Sequence, residues 1–569
     1  MIRWPFSAAL AALMLLPMAA TADPAPKPKP APAAPGVVSA AHPLAAEAGR
    51  EMLRAGGSAA DATFAMMLAL TVVEPQSSGI GGGGFLVYQP AGGKLASFDG
   101  REAAPAAARP ERFLSANGKP LPQFQAAPGG LSVGVPGNIR LMAMAHARYG
   151  KLPWKALFAP AIRLAEQGFA VSKPMATAMG YVSQTWGSFP AIAALYAPAG
   201  QPLAEGVIVR NPAIAATLRE IADKGADAFY TGATAQAIVD AVTKSTRNPA
   251  DMTLADLAAY RAKERAPICG RYRGYRVCGM GPPSSGAITV LQILGMLERF
   301  DLKALGADNP QSWHLIAEAM QLAYADRERY LADTDFTRVP LAGMIDRAYL
   351  ARRSALISPD KALGTYEAGT PPGAEPRTAA ISGEVAGTTH FVAVDRQGNV
   401  ATMTSTVEGP FGSQLVAGGF VLNNELTDFT FAPVREGGAP VANRVEGGKR
   451  PLSSMSPTIV YDTKGLPVFT VGAAGGKTII MQVAKALIAH LDWGMDARAA
   501  LGQGLVYFGP RGIVLEQGTA LEAMKAALEA RGHRVAIARL GLKANAAERT
   551  ATGWRGAADP RSIGTALSE

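Results

Sequence analysis

Thr388-Thr389-His390-Phe391-Val392-Ala393-Val394, then Asp395-Arg396-Gln397-Gly398-Asn399, then Val400-Ala401-Thr402-Met403-Thr404-Ser405-Thr406-Val407, carries two alternating apolar runs around a cluster of turn formers. That pattern predicts a β-hairpin. If Val394 faces Val400 across the loop, His390 faces Thr404 and Thr388 lies beside Thr406, so two hydroxyls meet at the head of a strand. By composition alone, such a pair is a structural cross-strand contact. The surroundings argue for more. Gly387 leaves room for an unusual backbone, and polar loops follow at Asn423-Asn424-Glu425-Leu426-Thr427-Asp428 and at Lys449 to Pro457 (KRPLSSMSP). Gly472-Ala473-Ala474-Gly475-Gly476 then precedes a helix. Polar loops this dense among strands are where sites are found.

The chain around this hairpin has 569 residues, 49% hydrophobic and 18% charged, which supports a large buried core and excludes wholesale disorder. Two cysteines cannot form a Cys-rich zinc site, and His42, His146, His314, His390, His490 and His533 include no i, i+4 pair. No metal or organic cofactor is implied. The net charge of +10 is spread along the chain without a basic run, which favours a basic soluble surface over a nucleic-acid partner.

Residues 1–22 read as a secretory signal, with Arg3 in the n-region, an apolar stretch from Phe6 to Ala20 and an Ala20-Thr21-Ala22 cleavage site. Residues 23–36 read as a Pro/Ala/Lys tether, and folded sequence is expected from Val37. No further apolar run could span a bilayer, so no stable membrane insertion is expected, and the mature chain reads as secreted or periplasmic. Export would let Cys269 and Cys278 form a disulfide across the hairpin-like GRYRGYRV segment, the alternative being two buried thiols.

Helical spacing appears over residues 45–54, 59–73 (with Ser58 as N-cap), 138–149, 154–167, 213–224, 289–300, 312–333 and 477–490, with a strand at 85–88. Two motifs mislead. Gly79-Ile80-Gly81-Gly82-Gly83-Gly84 matches a dinucleotide fingerprint but follows a helix and opens a strand, the reverse of what that site needs. Gly130-Leu131-Ser132-Val133-Gly134 matches a serine nucleophile elbow, but Pro136 and Gly137 interrupt before the next helix.

From Gly387 through LNNELTDF and RPLSSMSP to GAAGG, the sequence resembles the small subunit of gamma-glutamyltransferases (glutathione hydrolases). DATFAMMLALTVVEPQSSGIGGGGF (61–85), FDGREAAP (98–105), VGVPGN (133–138), GPPSSG (281–286) and HLIAEAMQLAYADR (314–327) resemble their large subunit. The resemblance implies an α+β chain with the αββα four-layer sandwich of N-terminal-nucleophile hydrolases. It implies self-cleavage before Thr388 into a large subunit (37–387 of the folded part) and a small subunit (388–569). The new terminal amine can then serve as base for its own hydroxyl.

Carried over residue by residue, the resemblance makes Thr388 the nucleophile, Thr406 its hydrogen-bond partner, and the N–H groups of Gly475 and Gly476 the oxyanion hole. Arg101, Ser453 and Ser454 would bind the substrate α-carboxylate, Arg101 through a bidentate fork. Glu425 and Asp428 would hold the α-ammonium. Position 408 is Glu where many members carry Asn, which would set three carboxylates around one ammonium. No aromatic follows Phe431 before Ser453, so an aromatic-tipped lid is not evident, and a more open site would favour water over amino acid or peptide acceptors. The implied substrates are small molecules, glutathione and other γ-glutamyl compounds. The alternatives are a glutaryl- or cephalosporin-type acylase of the same fold, and a non-catalytic envelope binding protein.

Overall fold

Alternating burial along the 388–407 hairpin organises the layers. In the computed structural model, Thr389–Val394 and Val400–Thr406 pair antiparallel with Val394 opposite Val400 and His390 opposite Thr404, the expected register. The structure describes residues 1–2, 34–379, 383, 387–434, 440–509 and 511–569. Nearly all of the signal segment and most of the tether lie outside them.

The hairpin sits at the centre of a seven-stranded antiparallel sheet ordered Thr565–Ser568, Val37–Ala40, Thr389–Val394, Val400–Thr406, Gly83–Gln89, Ala96–Asp99, Lys263–Arg265. A six-stranded sheet ordered Gly553–Ala558, Lys543–Thr550, Pro467–Ala474, Thr458–Tyr461, Tyr275–Gly279, Ile268–Tyr272 stacks on it. Phe391, Ala393, Ala401, Met403, Leu86 and Tyr88 join a core beneath the helices Pro43–Arg54 and Ala59–Val73. Their neighbours Val392, Val394, Val400, Phe85 and Val87 face the other way, into a core shared with the second sheet and the helices Gly286–Leu297, Pro310–Tyr330 and Thr478–Leu491. Period-two alternation on central strands thus yields four layers, helix–sheet–sheet–helix. Both sheets mix strands from before and after Thr388.

Ala59–Val73 is buried along its whole length and is a core helix without an amphipathic stripe. Ser58 and Asp61 close a reciprocal capping box at its start. Its far end delivers Glu74, Gln76 and Ser77 to the hairpin.

Three helices differ most in extent from the expectation. Residues 154–167 divide into a 3₁₀ turn, Trp154–Phe158, and a helix, Ala159–Gln167, because Pro160 fits only a first turn. The helix expected at 289–300 starts at Gly286, whose N–H is taken by Ser284 Oγ, and ends at Leu297. The one expected at 312–333 runs Pro310–Tyr330, with Asn309 accepting from Gln311 N–H as N-cap. Cys269 and Cys278 are cross-strand partners joined by a disulfide, on a hairpin whose turn places Arg273 and Gly274 at positive φ. Among the described residues no helix is long and apolar enough to cross a membrane.

His390 lies between the sheets, with Nδ1 2.8 Å from Thr404 Oγ1 and Nε2 3.1 Å from Thr402 Oγ1. Burial pushes its pKa down to about 3, so it is neutral, and the two hydroxyls complement one donor and one acceptor nitrogen. Gly472 makes room for the ring: a Cβ there would lie 2.3 Å from an imidazole carbon. Gly472→Ala is therefore expected to destabilise the fold by about 1–3 kcal/mol through overpacking. The urea midpoint should fall at constant slope, and an unchanged midpoint would contradict this packing.

Candidate active site

Thr388 Oγ1 donates to Thr406 Oγ1 at 3.1 Å, and Thr406 Oγ1 also accepts the Glu408 N–H at 2.8 Å. Ser77 O accepts both the Thr388 N–H (3.0 Å) and the Val407 N–H (3.1 Å), clamping the two strand ends to the segment after the core helix. Close passage of backbone makes this possible. A Cβ on Gly387 would lie 1.8 Å from Glu408 O, and one on Gly82 1.8 Å from Thr406 O. The glycine run 79–84 thus accommodates the Thr406 strand. Thr388 itself has φ 115°, a conformation that strains a β-branched residue by about 1–3 kcal/mol.

Thr388, Thr406, Glu408, Arg101, Glu425, Asp428, Ser453, Ser454 and Gly476 converge on one narrow pocket, with Met455 and Ile479 as its apolar wall. Gly475, at φ 132°, precedes Gly476 at the turn into the Thr478–Leu491 helix. Neither glycine N–H has a protein acceptor among the described residues. Two unspent amides beside a helix N-terminus suit an oxyanion.

The charged wall differs from the expectation in one respect. The Arg101 fork is already engaged: Nη1 donates to Glu425 Oε1, Nη2 to Asp428 Oδ2 and to Leu452 O (2.9 Å), and Nε to Pro451 O (3.1 Å). A bidentate grip on a ligand carboxylate is therefore unavailable in this arrangement. The cause is charge balance, since Arg101 is buried and is the cation around which Glu425, Asp428 and Glu408 gather. The oxygens of Glu408, Glu425 and Asp428 lie within 4.8 Å of one another, close enough for a cation, and a ligand ammonium fits that donor set.

Glu102 is a member of the site that motif reading did not single out, although it follows Arg101 directly. It is fully buried, neither oxygen has a donor by geometry, and Oε2 lies 3.8 Å from Arg101 Nη1. Burial pushes its pKa up to about 7 despite Arg101, and Glu425 is raised too, chiefly by burial. Burial thus favours the protonated form of both carboxyls. Thr389 Oγ1 donates to Glu74 Oε2, which also pairs with Lys543 Nζ at 3.0 Å, bracing the start of the nucleophile strand.

Away from this pocket, His314, Glu318 and His533 also come within 4.8 Å of one another. There the His314 and His533 rings bond each other at 2.7 Å, while Tyr366 and the Leu363 N–H donate to Glu318, so the group satisfies itself. Ser132 is buried in a 3₁₀ turn with its hydroxyl on Ala127 O, far from the geometry of a nucleophile elbow. Phe431 stacks on Phe113 at 4.3 Å. Residues 435–439, in the stretch between Asp428 and Ser453, lie outside the described residues.

The family model described as gamma-glutamyltranspeptidase matches residues 45–568. A glutathione hydrolase proenzyme of Bacillus subtilis is 40% identical over 486 residues, covering 83% of this chain and 80% of its own. An acylase proenzyme, ACY 1, of a Pseudomonas species is 36% identical over 509 residues, covering 88% and 87%. The crystal structure of a cephalosporin acylase from Bacillus halodurans superposes with a TM-score of 0.83 at 28% identity, over 96% of this chain and 99% of that one.

The raised pKa of Glu102 has a sign that can be checked. Between its ordinary 4.5 and about 7 the folded chain holds a proton that the unfolded chain releases, so this group's stabilisation fades as pH rises through that window. Glu102→Gln should remove the effect, gaining up to about 3 kcal/mol on wild type between pH 4.5 and 7.5. Parallel stability–pH curves for the two proteins would contradict the assignment.

Proposed function

The chain belongs to the gamma-glutamyltranspeptidase family, and from that premise we propose that it is an exported, self-processing enzyme that cleaves γ-glutamyl amides such as glutathione. The observation that carries this reading is the Thr388–Thr406 hydroxyl contact at the mouth of a small pocket walled by Arg101, three carboxylates and two serines.

Processing comes first. Thr388 Oγ1 attacks the Gly387 carbonyl, the peptide bond becomes an ester, and water cleaves the ester to free the Thr388 amine. The positive φ at Thr388 supports strain beside this bond. The products are a large subunit (23–387 once the signal is removed) and a small subunit (388–569). Because both sheets draw strands from both segments, the pair stays together.

In the mature enzyme the Thr388 amine, tethered beside Ser77 O, takes the proton from Thr388 Oγ1 while Thr406 Oγ1 orients it. Oγ1 adds to the γ-carbonyl, and the oxyanion forms against the Gly475 and Gly476 amides. The amine then returns the proton to the leaving amine, giving a γ-glutamyl ester on Thr388. Water or an amino acid or peptide acceptor resolves the ester, with water favoured. The α-ammonium enters among Glu408, Glu425 and Asp428, and the Ser453 and Ser454 hydroxyls receive the α-carboxylate.

The similarity to acylases raises the reading of a glutaryl- or cephalosporin-type acylase. The acid-rich wall opposes it, because an acyl group without an amine offsets none of the charge of those carboxylates. γ-Glutamyl-p-nitroanilide is expected to exceed glutaryl-p-nitroanilide in kcat/KM by at least about 100-fold. Free glutamate should remain the main product in the presence of a millimolar dipeptide. Preference for the glutaryl anilide would establish the acylase instead, and activity surviving in Thr388→Ala would remove the proposed nucleophile.

A further inference from the structure

We propose that Arg327 is a positioning residue that turns the Ser454 hydroxyl into a committed donor for the α-carboxylate of the substrate. The inference rests on the γ-glutamyl reading and deepens it.

Arg327 lies in the last turn of the Pro310–Tyr330 helix and is completely buried. Its Nη2 donates to Ser454 Oγ at 2.9 Å, its Nε to Ser285 Oγ at 2.9 Å, and its Nη1 to Glu328 Oε1 at 2.8 Å. A guanidinium has only donors, whereas a hydroxyl has one hydrogen and two lone pairs. The Nη2–H bond therefore occupies a lone pair of Ser454 and leaves its hydrogen for another direction. Ser454 lines the pocket, and Arg327 stands behind it. Ser453 shows the same polarity, its Oγ accepting from Met455 N–H at 3.2 Å.

The backbone is held by the same fork. Ser285, gripped by Arg327 Nε, donates both its N–H and its hydroxyl to Ser453 O at 2.7 Å, and Ser453 N–H donates to Pro283 O at 2.9 Å. One guanidinium thus fixes the position of the serine pair and the direction of one hydroxyl. The consequence is large here because Arg101 is committed to Glu425 and Asp428. Recognition of the carboxylate falls to the serines, and a buried cation behind Ser454 strengthens its O–H as a donor to an anion.

The test compares two donors, γ-glutamyl-p-nitroanilide and 4-aminobutyryl-p-nitroanilide, which share the acyl chain and the amine but differ in the α-carboxylate. Arg327→Gln is expected to raise KM for the γ-glutamyl donor by about 10- to 100-fold, the loss of a hydrogen bond to a charged group, with kcat within a few-fold. KM for the aminobutyryl donor should not move. Ser454→Ala should reproduce the loss, and the double variant should add little to either single one. If Arg327→Gln does not fold, Arg327→Lys, which keeps the charge but can reach only one hydroxyl, should show a smaller rise confined to the γ-glutamyl donor. If the aminobutyryl donor is too slow to read, non-additivity with Ser454→Ala decides. Equal losses on both donors, full additivity, or an unchanged KM would overturn the inference alone. A wild-type enzyme that turns over neither donor would overturn the γ-glutamyl reading, and the inference with it.

Discussion

The contact on which the site depends is between two threonine hydroxyls, and it exists because of a register. A five-residue loop at 395–399 fixes Val394 opposite Val400, and the strands then carry Thr388 to Thr406 without further instruction. The rest of the neighbourhood lets that meeting happen at close quarters. Gly82 and Gly387 admit backbone carbonyls where any side chain would collide, and Ser77 O ties both strand ends to the helix that ends at Val73. A shift of one residue in the hairpin would turn every apolar side chain of its strands to the wrong layer, so the core and the hydroxyl pair are protected by the same constraint.

Electrostatics divides the pocket into two halves with different logic. On one side, Arg101 is a structural counterion as much as a ligand group, and the buried acids around it outnumber it, so the carboxyls of Glu102 and Glu425 are both raised above their ordinary range. On the other side, the proposed mechanism gives the anionic parts of the ligand to neutral hydroxyls and amides: Ser453 and Ser454 for a carboxylate, Gly475 and Gly476 for an oxyanion. The Pro310–Tyr330 helix stands behind both neutral groups, through Arg327 on Ser454 and through Glu328 and Tyr324 on Lys477, next to the glycines. Rigid elements beneath short polar loops are what hold such groups in fixed geometry.

Much of this was legible in the sequence, and what was not has a common cause. The hairpin, its register, the capped helix after Ser58 and the Cys269–Cys278 pairing are local patterns, readable from alternation, loop length and cap chemistry. The residues gathered in the pocket were legible only through long unusual motifs, because nothing local brings Arg101 to Glu425. The occupied fork of Arg101, the unpartnered oxygens of Glu102, the clamp of Arg327 on Ser285 and Ser454, and the space Gly472 leaves for His390 were not legible. Each is a contact between segments far apart in the chain, set by how two sheets and their helices stack. Helix bounds at Gly286 and Tyr330 differed for the ordinary reason that caps and prolines, not apolar spacing, decide where a helix stops.

The central claim is that one hydroxyl pair, placed by the hairpin, makes both the cut and the catalyst. The intact mass of the purified, denatured protein tests it most directly. The account predicts two fragments whose masses place the break between Gly387 and Thr388, with Thr388→Ala remaining one chain. A wild-type protein that stays whole, or is cut elsewhere, would contradict it.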